Sequence, residues 1–186
     1  MRISKLQAIG FQCVAVLLIG FGLAGGAETK SKDEKVSGDD AEFAREAASG
    51  GMMEVQLGKL AFERASNAQV KEFGQRMQKD HSKANDQLKK LAASKGIKLP
   101  TALEGKQKST VDKLTKLKGR EFDRQYMSTM VDDHKEDLEK FERQAEKGKD
   151  ADLKKFASEH VPVLRKHLEL AQQTEKKISG ESKGGK

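Results

Sequence analysis

Two short stretches of the chain end in the same pair of residues, an aspartate followed by a histidine. FGQRMQKDH runs from Phe73 to His81 and YMSTMVDDH from Tyr126 to His134, so both fit the pattern aromatic-x-x-x-Met-x-x-Asp-His. The whole sequence contains four histidines. Imidazole nitrogens are common ligands for transition metals, but a histidine on a helix can equally be a hydrogen-bonded core residue. The repeated ending therefore indicates either a metal site or two similar packing positions.

Both histidines fall on the apolar stripe of a predicted helix. His81 follows Met77 by four residues and His134 follows Met130 by four residues, and residues at that spacing share a helix face. Glu54 also lies on a buried stripe, seven residues from an alanine on either side. Because an unpaired buried carboxylate is costly, Glu54 requires a partner.

The last predicted helix contributes two further histidines. His167 adjoins its apolar face, and His160 lies seven residues earlier on a similar face. At a rise of about 1.5 Å per residue, Glu54 and His81 both lie about 20 Å from the turn between their helices. His134 reaches a comparable height above the second turn. The sequence therefore predicts a mid-bundle metal site of Glu54, His81, His134 and His167, with His160 as the alternative fourth ligand.

One carboxylate and three neutral imidazoles suit a single divalent ion such as Zn²⁺. Met77 and Met130 admit a second interpretation, because a thioether beside an imidazole suits Cu(I). Methionine is also a common core residue at such positions, so copper is the weaker alternative. Because histidine must be neutral to bind a metal, the site should lose its ion on acidification.

An aspartate precedes each of the two matched histidines. Adjacent helical residues differ by about 100° around the axis, so Asp80 and Asp133 should not share the ligand direction. They are candidates for orienting an imidazole of a neighbouring helix. The simpler interpretation is that they are surface acids, and we favour it for Asp80.

The elements that position these residues are four long amphipathic helices. Two very short turns make antiparallel neighbours, and a long central link carries a shorter helix. We expect an all-α, ferritin-like up-down four-helix bundle, built from two antiparallel hairpins joined by a crossover. Ser66 and Gln69 fit a capping box, and Pro162 should kink the last helix. The predicted long helices span about 40–66, 67–96, 120–148 and 150–178, and the short one 106–117.

The first 27 residues have the pattern of a secretory signal peptide. Arg2 and Lys5 precede an apolar run over residues 8–23, and small residues lead to a cleavage site after Ala27. An uncleaved anchor is the alternative. Cleavage would lower the formal charge from +7 to +5, since only Arg2 and Lys5 are lost, and would remove the single cysteine. The mature protein would then have neither thiol chemistry nor a membrane domain, and we expect it to be secreted into the periplasm.

Composition divides the remaining chain into three segments. Residues 28–39 form a polar linker, residues 40–178 the bundle, and residues 179–186 a basic disordered tail. Lysine, arginine and acidic residues are finely mixed, and a basic stripe with interleaved aromatics is lacking outside the tail. Nucleic-acid binding is therefore not expected. A second copy of the chain or an envelope protein remains a candidate partner.

A series of short motifs in order along roughly residues 41–173 carries a family resemblance. They are Phe43, Glu54-Val55, Leu60-Ala61, Asn67 to Phe73, Met77 to His81, Leu91-Ala92, Leu99-Pro100, Phe122-Asp123, Tyr126, Met130 to His134, Pro162 to Leu164 and His167-Leu168. With these motifs the chain resembles a secreted bacterial ferritin-like family of unknown function, whose members often carry an outer-membrane-protein label. The resemblance implies the four-helix ferritin-like fold and no established activity. An outer-membrane barrel gains no support, because barrel-like strands and aromatic girdles are missing.

A di-iron site is disfavoured, because such ferritin-like proteins use Glu-x-x-His on two helices and none exists here. Three function classes remain. The leading one is a bundle that binds a metal ion without catalysis. The others are a structural or envelope-interaction module without metal, and a metal-dependent enzyme with an open coordination position.

Overall fold

A computed structural model of the chain describes residues 36–181, and all the regular secondary structure in this part is α-helix. The helices are α1 (Gly38–Arg64), α2 (Ala68–Ser94), α3 (Gly105–Thr115), α4 (Gly119–Lys147) and α5 (Ala151–Glu181). Helices α1 and α2 form one hairpin and helices α4 and α5 form the other, while α3 lies in the connection and contacts α1 and α4. The predicted bundle of two hairpins is confirmed. The predicted signal peptide lies outside the described residues.

Two helix signals differ from the sequence prediction. Asn67, not Ser66, caps α2, because its side chain accepts hydrogen bonds from the backbone N–H groups of Gln69 and Val70. Helix α5 contains Pro162, as predicted, but it extends to Glu181, inside the predicted tail. Gly119 begins α4 at a φ of 60°, a left-handed conformation that glycine adopts without strain.

The core consists of two hydrophobic clusters stacked along the bundle. The first contains Leu57, Phe73 and Phe122, and the second contains Phe43 and Phe141. A layer of buried polar side chains falls between the two clusters on each of the four long helices. That layer consists of Glu54, His81, His134 and His167. The candidate site is therefore enclosed above and below by apolar side chains.

Each hairpin turn is held by an aspartate from the other hairpin. The carboxylate of Asp123 on α4 accepts hydrogen bonds from the backbone N–H groups of Ser66 and Asn67 and from the Ser66 hydroxyl. The carboxylate of Asp40 on α1 accepts from the Gln144 amide and from backbone N–H groups at the α4–α5 turn. Burial would raise the pKa of Asp40, but these hydrogen bonds outweigh it and lower that pKa.

Helices α1 and α2 cross at a very close contact. A Cβ added to Gly58 would lie 2.5 Å from the Gly74 carbonyl oxygen and 2.9 Å from the Gln78 nitrogen. Both neighbours are backbone atoms, so the helices would have to separate. We expect Gly58→Ala to lower the free energy of unfolding by about 2–3 kcal/mol in urea titrations. Gly180→Ala is the control, because no neighbour lies within 4 Å of its added Cβ. Equal urea midpoints for Gly58→Ala and the wild type would contradict the close crossing.

Candidate metal centre

The four predicted ligands come together in one layer, one from each long helix. Glu54 and His134 are 0% exposed, His167 is 2% exposed and His81 is 7% exposed. Helical phase places them there, because each replaces an apolar residue on its buried stripe.

The three histidines form a nearly equilateral triangle. Ring centroids are 5.7 Å apart for His81 and His134, 5.4 Å for His81 and His167, and 5.5 Å for His134 and His167. One ligand nitrogen from each ring lies within 4.8 Å of the others. Each ring also retains a buried nitrogen without a hydrogen-bond partner among the described residues: His81 Nε2, His134 Nε2 and His167 Nδ1. The triangle thus contains donor nitrogens that the protein itself leaves unsatisfied.

Hydrogen bonds on the outer side of two rings determine their tautomers. His134 Nδ1 lies 2.9 Å from the Met130 carbonyl oxygen, and His167 Nε2 lies 2.9 Å from Asp80 Oδ2. A carbonyl oxygen and a carboxylate only accept, so both ring nitrogens must carry the proton. The other nitrogen of each neutral ring then presents a lone pair. Such outer partners characterise metal-binding histidines.

Glu54 lies against two of the rings. Its Oε2 is 2.7 Å from His81 Nδ1 and its Oε1 is 3.3 Å from His134 Nε2. Neither oxygen has an aligned hydrogen-bond donor among the described residues. Burial raises the pKa of Glu54 well above its ordinary value, and the charge of Asp137 raises it further. An ionised Glu54 therefore needs a cation nearby.

Burial also sets the protonation state of the histidines. It lowers the pKa of His81 and of His167 to about 4. Burial lowers the pKa of His134 well below its usual value, and the two neighbouring imidazoles add to the effect. All three rings are therefore neutral at physiological pH, which is the form that binds a metal.

The sequence profile of a domain of unknown function, DUF4142, matches residues 25–174. The chain belongs to the DUF4142 family. No curated protein matches this DUF4142 sequence. It is similar in structure to a DUF305 fragment from Deinococcus radiodurans, with a TM-score of 0.69 and 12% identity over 77% of this chain and 99% of that one.

A second similar structure is the Streptomyces coelicolor chain described as "putative secreted protein DUF305". Its TM-score is 0.65, with 14% identity over 76% of this chain and 94% of that one. At these identities the likeness shows a shared fold alone. Among the described residues of the DUF4142 chain, no helix has both the length and the apolarity to cross a membrane.

Two acidic residues of the candidate site differ from the sequence prediction. Asp80 is not a free surface acid, because it accepts the hydrogen bond from His167 across the bundle. Asp133 places a carboxylate oxygen within 4.8 Å of ligand atoms of Glu54 and His134, whereas helix geometry predicts that it points away from the ligand direction. Its Oδ2 is buried without a hydrogen-bond partner in the described part of the chain.

The alternative ligands, His160, Met77 and Met130, lie outside the two candidate ligand groups, although His160 lines the small cavity beside His81 and His167. His160 is half-buried, its Nδ1 donates to the Phe156 carbonyl oxygen at 2.7 Å, and its ring lies 4.2 Å from the Phe156 ring. It is absent from the two candidate ligand groups found among residues 36–181. Met77 and Met130 are fully buried in the first hydrophobic cluster, as ordinary core side chains would be.

A small cavity adjoins the triangle. It has a volume of about 30 Å³ and is lined by Glu54, His81 and His167, together with Asn85 and Asp137. A water molecule needs roughly 10–15 Å³ of such space. The cavity can therefore hold a water or another small exchangeable ligand beside a bound ion.

Asp80 provides a direct test of the outer hydrogen bonds. Asp80→Ala removes the acceptor that fixes the His167 tautomer, so we expect Zn²⁺ affinity to fall about 10- to 100-fold in competition titrations with a chelating indicator. Asp80→Asn keeps an acceptor oxygen and should recover part of the loss. Asp86→Ala, an exposed change on the same helix, should leave affinity unaltered. Unchanged affinity in Asp80→Ala would show that the contact has no role in binding.

Proposed function

We propose that this protein is an exported helical bundle that binds one divalent transition-metal ion at Glu54, His81, His134 and His167, without catalysis. The observation that carries the proposal is the convergence of three buried imidazoles. Each has a nitrogen without a hydrogen-bond partner among the described residues.

The energetics favour an ion over a purely structural layer. A buried polar atom without a partner costs roughly 1–3 kcal/mol. The layer contains three such nitrogens, and the Glu54 oxygens have only unaligned contacts with His81 and His134 among the described residues. A hydrogen-bonded core arrangement would have paired these atoms with donors. A single cation would satisfy the nitrogens and compensate the carboxylate charge together.

The donor set favours Zn²⁺ or a similar ion. Three imidazole nitrogens and one carboxylate oxygen are ligands that zinc accepts in a four-coordinate site. At Zn–N distances of about 2.0–2.1 Å, tetrahedral nitrogens lie about 3.4 Å apart. Loading should therefore draw the three rings inward. Copper is less favoured because the two nearby methionines belong to the apolar core, and a di-iron centre lacks its Glu-x-x-His motifs.

Export is supported by the signal-peptide pattern of the first 27 residues and by the description of the similar Streptomyces structure as a "putative secreted protein". We place the mature protein in the periplasm or outside the cell. There it would meet metal ions without competition from its own thiols, since the sequence has one cysteine and that cysteine lies in the leader.

The metal content of the protein tests this function. The chain is expressed with its own leader, purified without a histidine tag or chelator, and loaded with equimolar Zn²⁺ before desalting and elemental mass spectrometry. We expect about one zinc per chain for the wild type and for His160→Ala, which is the matched control. His81→Ala combined with His134→Ala should retain none at unchanged helicity. Equal zinc in the double variant, or none in the wild type, would contradict the proposal.

A further inference from the structure

A second donor set lies beside the histidine triangle. Ligand atoms of Glu54, Asp133 and His134 lie within 4.8 Å of one another. Both oxygens of Glu54 and Oδ2 of Asp133 are buried without hydrogen-bond partners among the described residues. His134 belongs to both sets, so one imidazole connects an oxygen-rich position with a nitrogen-rich one.

A cavity of about 300 Å³ between α1, α3 and α4 reaches Asp133 from the surface. Its lining contains five carboxylates and three lysines. Two of the lysines lie against other acids, Lys106 at 2.7 Å from Glu136 and Lys140 at 3.5 Å from Glu46. The cavity is therefore acidic overall, and a buried carboxylate oxygen lies at its inner end.

The other cavity that adjoins the triangle is much smaller. It measures about 30 Å³, and apolar side chains such as Leu88, Phe141 and Phe156 form much of its lining. A divalent ion with six waters needs roughly 60–90 Å³, at about 10–15 Å³ for each water. The acidic cavity can accept such an ion, whereas the smaller cavity cannot without opening.

We propose that Asp133, Glu54 and His134 form an entry position through which a divalent cation passes from the acidic cavity into the histidine triangle. This inference rests on the proposed function. The ion exchanges waters for carboxylate oxygens at the entry position. It then exchanges Asp133 for His81 and His167 while His134 stays bound, so only ligands are exchanged and no electrons move.

A shared entry and exit position has a kinetic signature. Asp133 holds the ion only in transit, so its loss raises the barrier equally in both directions. Asp133→Asn should therefore slow Zn²⁺ association and dissociation by the same factor, with the dissociation constant unchanged. We expect a factor of about ten, which corresponds to a barrier about 1.4 kcal/mol higher in each direction. A permanent ligand would instead weaken the equilibrium affinity.

Stopped-flow mixing of Zn²⁺ with metal-free protein gives the association rate, and transfer to excess chelator gives the dissociation rate. The variants are wild type, Asp133→Asn, and His160→Ala as the control that lines the smaller cavity. Asp86→Asn matches the change in net charge on an exposed surface. Helicity by circular dichroism establishes that every variant is folded.

Slowing confined to Asp133→Asn, in both directions, would support the entry position. Rates like those of the wild type would overturn it, as would slowing in His160→Ala alone or a weaker equilibrium affinity in Asp133→Asn. In those cases the wild type still binds zinc, so the proposed function stands. A wild type that retains no zinc would overturn both proposals.

Discussion

Replacing Glu54 by glutamine should stabilise the metal-free protein at pH 8 and, in the same molecule, weaken zinc binding about 100-fold or more. The carboxylate is fully buried and has no aligned hydrogen-bond donor among the described residues. Without a cation, its ionised form is an uncompensated buried charge. Glutamine removes the charge at nearly the same volume. We expect a gain of about 2 kcal/mol in the free energy of unfolding.

The gain should depend on pH in a defined direction. The pKa of Glu54 is raised in the folded state above its ordinary value of 4.5. The neutral Glu54 carboxyl group therefore contributes its full share to the free energy of unfolding below pH 4.5. That contribution is lost as pH rises through the folded-state pKa. Wild type and Glu54→Gln should accordingly differ little near pH 4.5 and increasingly at higher pH. Urea titrations in chelator at pH 5 and pH 8 measure the difference.

The buried histidines make the free energy of unfolding depend on pH in the opposite direction to Glu54. The folded-state pKa of His81 and of His167 is about 4, below the ordinary 6.5. Their contribution is present above pH 6.5 and is lost as pH falls towards 4. Comparing each variant with the wild type at the same pH separates the two effects. Glu63→Gln is the control, because Glu63 is exposed on the same helix. Equal stability of Glu54→Gln and wild type at pH 8 would show that Glu54 is not a destabilising buried charge.

Replacing Asp123 by alanine should lower the free energy of unfolding by about 3 kcal/mol and leave zinc affinity unchanged. Two backbone N–H groups and a hydroxyl at the α1–α2 turn would lose their acceptor. Asp123 lies 57 positions from Ser66 and 56 positions from Asn67 in the sequence. These hydrogen bonds therefore connect the two hairpins. Urea unfolding and zinc competition titrations on the same samples measure both quantities.

Two further variants define what Asp123 contributes. Asp40→Ala should be destabilising for the same reason, because Asp40 holds the other turn. Asp39→Ala, on the exposed neighbour of Asp40, should change stability by less than about 0.5 kcal/mol. If the midpoint of urea unfolding is the same for Asp123→Ala and the wild type, the hydrogen bonds between the hairpins contribute nothing to the free energy of unfolding.

The buried polar layer was predictable because the helix repeat fixes phase and the two short turns fix height. Glu54, His81 and His134 each interrupt an apolar stripe at the same distance from a turn, and the structure places them in contact. Height alone left His160 and His167 equivalent. They lie seven residues apart on a similar face, about 10 Å from each other along the helix axis. The axial position of α5 against its neighbours, which packing between helices sets, therefore decides that His167 lies in the layer.

The contacts that the sequence did not specify are contacts between helices. Asp80 meets His167 across 87 positions of sequence, and nothing in its own helix reveals that partner. Asp123 captures the α1–α2 turn, which is why Ser66 is drawn away from the predicted capping box and Asn67 caps α2 instead. Local periodicity specifies which face is buried. It does not specify which buried side chains of different helices will touch.

Diffraction from crystals of the zinc-loaded protein, recorded on both sides of the zinc absorption edge, tests the central claim most directly. We predict one anomalous peak per chain, about 2.0–2.1 Å from one nitrogen each of His81, His134 and His167. Zinc bound only at surface carboxylates or at His160, with the three rings unliganded, would contradict the account.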